Sequence, residues 1–372
     1  MPVHTSPIRC GIIGTGAIAH AHAHALTGLH GRAELAAVAE IDPDRAAAFT
    51  GRFPVPAVYG DAAAMLEKER LDLVHVCTPP QTHVPLAIAA MRAGVPVLVE
   101  KPTALSLAEM DELADVQAAT GTPVLTVFQH RYGPAAVRLR RLAAAGALGR
   151  PLVATCETLW YRDDAYFDVP WRGRWEVEGG GPTMGHGIHQ FDLLLSILGP
   201  WAEITALAGR LSRPTNTEDV SMALDRFKNG AMATVVNSVV SPREASRLRF
   251  DFEHATVELE HLYGYRDADW RFTPAPGHED LADRWNAADQ TDEESGHRLQ
   301  IAAVVDALAA GTEPGVTLAE ARRTMEFAAA TYAAAFQGRP VAAGEITGSH
   351  PFARSMDGGA APWAPIKGKT TA

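Results

Sequence analysis

The sequence predicts two domains of different construction: a doubly wound α/β domain on a parallel sheet, then an α+β domain on a large, mainly antiparallel open sheet. Three observations carry that expectation. Over residues 1–126 apolar strand-like runs alternate with helical stretches, as βαβ units require. The first strand runs directly into a glycine-rich turn. Beyond 126 the strand-like runs come at short spacing, with hairpin turn chemistry between two of them. At 372 residues the chain is too long for one ordinary core.

In chain order, "IRCGIIGTGAIA" is an apolar strand leading to Gly14-x-Gly16-x-x-Ala19 and a helix reaching Leu29. Gly14 permits the tight turn, and Gly16 lets backbone approach a pyrophosphate. Ala19 lets helix and strand pack closely, while Ala17 and Ile18 open the helix whose N–H groups face the phosphates. This is a Rossmann-type fingerprint in its proper context. The next strand, "ELAAVAE", ends at Glu40, at about the ~20-residue offset where a carboxylate binds an adenosine ribose. With Ile41 next and no adjacent Arg or Lys, Glu40 would repel a 2′-phosphate, so NAD is expected over NADP. "DLVHVCTPP", the helix "HVPLAIAAMRAGV" and the strand "PVLVEKP" continue the pattern and bring Lys101 to a strand's carboxyl end, where such sheets bind ligands. A further helix and strand close the domain near Thr126.

The region 127–345 reads differently. "LVATCETLW", "EITALAGRL", "DVSMALDRF", "AMATVVNSVV", "RLRFDF" and "TVELEHL" are strands, with a turn at Lys228-Asn229-Gly230. Helices are expected at 134–146, 187–198, 299–310 and 317–337. An open sheet of this kind needs covering on its outer face, and pairing with another subunit is one way. Residues 346–372 form a C-terminal extension that reads as loose after Gly358.

Composition excludes other classes. Apolar content of 47% with 21% charged residues is that of a soluble globular chain, and a net charge of −11 argues against a nucleic-acid partner. No run of 18 apolar residues exists, so no membrane-spanning helix is expected, and the first residues lack a signal-peptide apolar core. Cys10, Cys77 and Cys156, each in an apolar run, suit buried free thiols in a reducing cytoplasm.

"GIIGTGAIA", "CTPPQTH", "LVEKPTALS" and "PWRGRWEVEGGGPTMGHGIHQFDLLLSILG" together resemble the glucose–fructose oxidoreductase/inositol dehydrogenase (Gfo/Idh/MocA) family, in the right order up to about Val341. The resemblance implies a nicotinamide cofactor, a C-terminal sheet domain used for homodimer or homotetramer contacts, and redox chemistry at a secondary alcohol of a sugar, polyol or related diol. It matches Glu100-Lys101-Pro102 to the family's E-K-P motif, with Lys101 beside the nicotinamide and the reacting hydroxyl. It matches His189 to an acid–base histidine, and it sets Thr78, Pro79, His83 and Glu100 among the cofactor-side residues. Independent chemistry agrees: oxidising an alcohol needs a base for the hydroxyl proton, and a desolvated lysine or a histidine suits that task.

One departure stands out. The family commonly reads Asp-x-Gly-x-His, but Gly185 occupies the carboxylate position here and His186 follows it. Asp192, three residues after His189, is positioned to orient the imidazole. Either His186 takes a new role toward substrate or cofactor, or the local backbone departs from a regular helix. A metal is not expected: His186, His189 and Asp192, like His20 and His24, lack further ligands at diagnostic spacing.

Substrate contacts are expected from "WYRDDAYFDVPWRGRWEVEGGG", above all Tyr161, Arg162, Trp171, Arg172 and His186, because aromatic rings stack on sugar faces and Arg bonds hydroxyls or carboxylates. Three functions fit: an NAD-dependent dehydrogenase; an enzyme that retains NAD and uses transient oxidation for elimination, epimerisation or glycoside cleavage; and a non-catalytic nucleotide-binding sensor.

Overall fold

The computed structural model describes residues 6–286, 291 and 293–368. Two compact units divide it. The first holds residues up to Ala104, then Ala108–Val127 and His297–Arg322; the second holds Leu105–Leu107, Phe128–Gly296 and the chain from Arg323.

The first unit is built on a six-stranded parallel sheet. Its strands are β1 (Ile8–Ile13), β2 (Ala33–Ala39), β3 (Ala57–Tyr59), β4 (Leu73–Val76), β5 (Val97–Val99) and β6 (Val124–Thr126), in the order β3-β2-β1-β4-β5-β6. The order reverses between β1 and β4, which opens the crevice where doubly wound folds bind ligands. β4 and β5 are buried throughout, matching their continuous apolar runs. The helix Ala17–Thr27 packs on this sheet through Ala19, Ala23 and Leu26.

The first unit also takes back a late segment that the sequence pattern had suggested for the second region. The helix His297–Ala310 contributes Ile301, Val304, Val305 and Leu308 to the same apolar core as Leu26 and Leu29. Without it those residues would face water. Apolar periodicity finds this helix but not the surface it covers.

The second unit carries an eight-stranded sheet. Its strands are β7 (Pro151–Tyr161), β8 (Trp201–Gly209), β9 (Val220–Phe227), β10 (Met232–Ser238), β11 (Val240–Phe252), β12 (Ala255–Glu260), β13 (Trp270–Pro274) and β14 (Val341–Ala342), in the order β13-β12-β11-β7-β10-β9-β8-β14. β7 and β10 pair in parallel; the other pairs are antiparallel. In β9 Ser221, Ala223, Asp225 and Phe227 are buried while Met222, Leu224 and Arg226 are exposed, the period-2 pattern of a sheet with one covered face. The Lys228–Gly230 turn joins β9 to β10, with Gly230 at φ +91°. The helix Ile188–Leu198 packs against β7. No helix among the described residues is long and apolar enough to cross a membrane.

Candidate active site

In the first unit, the turn after β1 has the shape its residues dictate. Gly14 sits at φ +85°, and a Cβ there would lie 2.7 Å from Thr78 Cγ2 and 3.1 Å from the Cys77 carbonyl, so the end of β4 allows no side chain. At Gly16 a Cβ would meet nothing within 4 Å, and no side chain caps the helix beginning at Ala17. The N–H groups of Ala17 and Ile18 thus stand at an open, electropositive helix start. Glu40 is buried and accepts from the Thr15 amide at 2.8 Å, the Thr15 hydroxyl at 3.0 Å and the Asp42 amide at 3.0 Å. Burial pushes its carboxyl up, but these donors and Arg45 outweigh that and hold it below the usual range. An open anion cradle flanked by a fixed carboxylate fits a dinucleotide. One feature escaped the sequence: Arg45 Nη2 reaches Glu40 at 3.4 Å although it lies five residues on.

His83, expected on the cofactor side, joins two backbone segments. It is buried, with Nδ1 2.7 Å from the Pro102 carbonyl and Nε2 2.8 Å from the Thr78 carbonyl. It clips the segment bearing Thr78 and Pro79 to the one bearing Lys101. Glu100 likewise turns inward. Its Oε1 lies 2.9 Å from His22 Nε2 and 2.9 Å from His297 Nε2, while its Oε2 accepts the Lys101 backbone N–H at 3.1 Å. Behind it, His22 Nδ1 lies 2.8 Å from His75 Nδ1. Burial would raise the Glu100 carboxyl, yet the hydrogen bonds and charge of His22 and His297 hold it well below the carboxylate range. Burial lowers His22 and lowers His75 further. An ionised Glu100 accepting from Nε2–H of His22 fits these directions, and His22 Nδ1 then accepts from His75 Nδ1–H. A helix, two strand ends and the returning segment thereby fix the backbone from which Lys101 projects.

His22 Nε2, His297 Nε2 and a Glu100 oxygen lie within 4.8 Å of one another, a spacing open to a cation. The two 2.9 Å contacts are hydrogen-bond lengths, whereas ligands about 2.0–2.1 Å from a tetrahedral zinc stand about 3.3 Å apart. Hydrogen bonding accounts for the cluster. His20 and His24 instead pack edge-on against Phe53.

In the second unit, the glycines before His189 are packing residues. A Cβ at Gly180 would lie 2.2 Å from Tyr332 Oη, at Gly181 1.9 Å from the Glu218 carbonyl oxygen, and at Gly187 1.8 Å from Asn237 Oδ1. Buried Glu218 accepts from the Gly181 amide at 2.9 Å, the Thr183 amide at 3.1 Å and the Tyr332 hydroxyl at 2.8 Å. Burial pushes its carboxyl up to about 7 despite these donors. Gly185 alone of this group faces open space, with nothing within 4 Å of a Cβ.

Residues Thr183–Gly187 form a π-helical turn before the α-helix Ile188–Leu198, so the backbone departs from a regular helix at His186. His186 lies against Trp160 at 5.0 Å between ring centroids and against Tyr166 at 6.1 Å. His189 is buried between His130 at 5.4 Å and Tyr263 at 5.8 Å. Asp192 is buried and held by several donors. Arg131 grips its carboxylate at 2.7 Å through both Nε and Nη2, and the Thr324 hydroxyl adds a third bond at 2.7 Å. A buried carboxylate needs such a partner, and this pair ties the helix Ile188–Leu198 to Arg131.

The segment 160–178 concentrates rings and guanidinium groups. Arg172 lies 4.0 Å over the Tyr166 ring and 4.2 Å over Trp171, and Arg162 lies 4.9 Å over Trp160. Tyr161 is exposed. Arg162 also pairs with Glu244 at 2.9 Å. Sequence reasoning missed Tyr263, which joins the rings around His189 and accepts from Gln129; the signal was the aromatic run at 263–272.

Comparison with known proteins decides the family. Residues 8–128 match the oxidoreductase family with an NAD-binding Rossmann fold (GFO_IDH_MocA), and residues 136–258 match the GFO/IDH/MocA C-terminal domain. The chain belongs to the Gfo/Idh/MocA family. It is 28% identical to a D-apiose dehydrogenase of Paraburkholderia graminis over 94% of this chain and 93% of that one. It is 28% identical to inositol 2-dehydrogenase 2 of Paenarthrobacter aurescens over 84% and 91%. The WlbA dehydrogenase of Chromobacterium violaceum, solved with NADH and UDP-GlcNAcA, superposes with a TM-score of 0.81 at 25% identity, covering 92% of this chain and 98% of that one. Membership brings an NAD cofactor and a dehydrogenase reaction at a CH–OH group.

Proposed function

We propose that the protein oxidises a secondary alcohol of a sugar, polyol or cyclic diol, with Lys101 and His189 handling the hydroxyl proton. The observation that carries this is the Glu100 cluster: three histidines and a buried carboxylate fix the backbone of a lysine at the carboxyl end of a parallel strand. Such rigidity suits a group that must meet a reacting atom within hydrogen-bond reach. Gly14, Gly16, Ala17, Ile18 and Glu40 would hold NAD, with Thr78 and Pro79 beside them; NAD when bound supplies the hydride acceptor. Lys101 Nζ, as the neutral amine, takes the hydroxyl proton as the carbon is oxidised, and His189 serves as base or relay. Tyr161, Arg162, Trp171, Arg172 and His186 would bind the polyhydroxyl ring, by stacking on its apolar face and hydrogen-bonding its hydroxyls. The relatives named for apiose and inositol support that substrate class.

The test screens D-apiose, inositols and glucosides with NAD, following NADH absorbance. Lys101→Ala and His189→Ala should each lower kcat by about 10²–10⁴-fold while NAD affinity holds. Unchanged turnover in both variants would sink the assignment. Substrate conversion without NADH accumulation would favour the reading in which NAD is retained through a redox cycle. We also propose a homo-oligomer: Leu207 and Met222 are register neighbours on the exposed sheet face, with Leu224 two residues along. Three buried unpaired thiols support a cytoplasmic location.

A further inference from the structure

The C-terminal residues folded back over the second unit have no part in the function so far. The sequence suggested a loose end after Gly358, yet residues 363–368 are tied down at every turn. Asn216, itself buried, is the anchor. Its Oδ1 accepts from the Ile366 and Lys367 amides, both at 2.8 Å, and its Nδ2 donates to the Lys367 carbonyl at 2.9 Å. Its carbonyl accepts from the indoles of Trp363 and Trp175, both at 2.8 Å, and its amide donates to the Gly173 carbonyl at 2.7 Å. Arg210 donates to the Ala364 carbonyl at 2.7 Å, and Arg174 to that of Gly368. From this strap Lys367 reaches into the aromatic segment, where its ammonium donates to the Phe167 carbonyl and, at 2.8 Å, to the Arg172 carbonyl.

The aromatic segment needs such support. Its regular structure is two single helical turns, Asp164–Phe167 and Trp175–Glu178, each too short to hold itself in water. Between them lies the stretch bearing Trp171 and Arg172, and both carbonyls held by Lys367 lie at its ends. Arg172 makes contact with Tyr166 through its ring face and its hydroxyl. A shift of the Arg172 backbone would break that stack, because ring and guanidinium meet at 4.0 Å.

We propose that residues 360–368 are a positioning element of the substrate site, in which Lys367 and Asn216 hold the Phe167–Arg172 stretch in its binding geometry. This rests on the substrate role proposed for that segment. Lys367 touches no reacting atom; it acts through Arg172 and Phe167.

The test compares the full chain with a truncation after Gly359 and with Lys367→Met, using the best alcohol from the screen and, separately, trypsin. With the strap gone, trypsin should cut after Arg162, Arg172 or Arg174 at least about tenfold faster, since protection tracks the population of the closed state. KM for the alcohol should rise about tenfold in both variants, with kcat within about twofold and NAD affinity unchanged, as expected when ground-state and transition-state binding fall together. Lys367→Arg, keeping the charge and donors, should restore most of the loss. Unchanged trypsin cleavage together with unchanged KM overturns the strap alone. Faster cleavage with unchanged KM overturns the positioning role and with it the substrate reading of the segment. If truncation prevents folding, Lys367→Met decides by the same two readouts.

Discussion

Replacing Gly181 and Gly185 by alanine, one at a time, separates a packing glycine from one that is merely small. At Gly181 the new Cβ would sit 1.9 Å from the Glu218 carbonyl oxygen and 2.9 Å from its carboxyl carbon, against 3.4 Å for ordinary contact. The backbone must therefore move by about 1.5 Å. That displaces the chain carrying a carboxyl held by three hydrogen bonds, from Gly181, Thr183 and Tyr332. Overpacking costs about 1–3 kcal/mol, and loss of one such bond to a buried acid adds about 1.5–3 kcal/mol. We expect about 3–5 kcal/mol of destabilisation. At Gly185 the Cβ meets nothing within 4 Å, and helical alanine should stabilise by about 0.5–1 kcal/mol. All 7 tryptophans fall in the second unit, so urea unfolding followed by tryptophan fluorescence reports that unit. Superposable unfolding curves for the two variants, or a larger loss at Gly185, would refute the packing argument.

Glu218 sets a pH dependence. Its folded carboxyl is raised from 4.5 to about 7, so the folded state binds the extra proton between those values, and the stability of the second unit should fall by about 3 kcal/mol as pH rises from 4.5 to 7. Glu218→Gln should abolish that slope whatever its absolute stability, as urea midpoints across the range will show. Glu40→Ala removes the fixed carboxylate beside Thr15 and leaves Arg45 exposed to the same site. NAD Kd, measured by calorimetry, should rise about tenfold while NADP Kd stays level or falls; equal losses for both cofactors would exclude a ribose-reading role. Leu224→Lys, on the exposed face of β9, should shift sedimentation toward the monomer, and an unchanged profile would place the subunit contact elsewhere.

What the sequence disclosed was local. The Gly14–Ala19 turn, Glu40 at the end of β2 and the Lys228–Gly230 hairpin each follow from the steric needs of neighbouring residues, and apolar periodicity marks the strands. The partners of those residues were not legible. His22 meets His75 53 residues on, and Glu100 meets His297 197 residues on. Arg131 claims Asp192 across 61 residues, and Asn216 claims Lys367 across 151. No spacing rule encodes such pairs, because only the tertiary fold brings them together. The glycines near the π-helical turn at Thr183–Gly187 are a similar case: Tyr332 requires Gly180, Glu218 requires Gly181 and Asn237 requires Gly187, and all three partners are distant in sequence.

The return of His297–Arg322 to the first unit has a consequence for synthesis on the ribosome. When residue 127 has been made, the sheet of the first unit is complete in sequence, yet Leu26 and Leu29 lack Ile301, Val304 and Leu308 until residue 308, another 181 residues (308 − 127). At about 5–20 residues per second that is roughly 10–40 s of translation. During that interval the nascent dinucleotide unit displays an uncovered apolar surface and a Glu100 without one of its histidines. A chain of this design finishes its first domain only after most of its second has been made, which exposes its amino-terminal half to chaperones throughout.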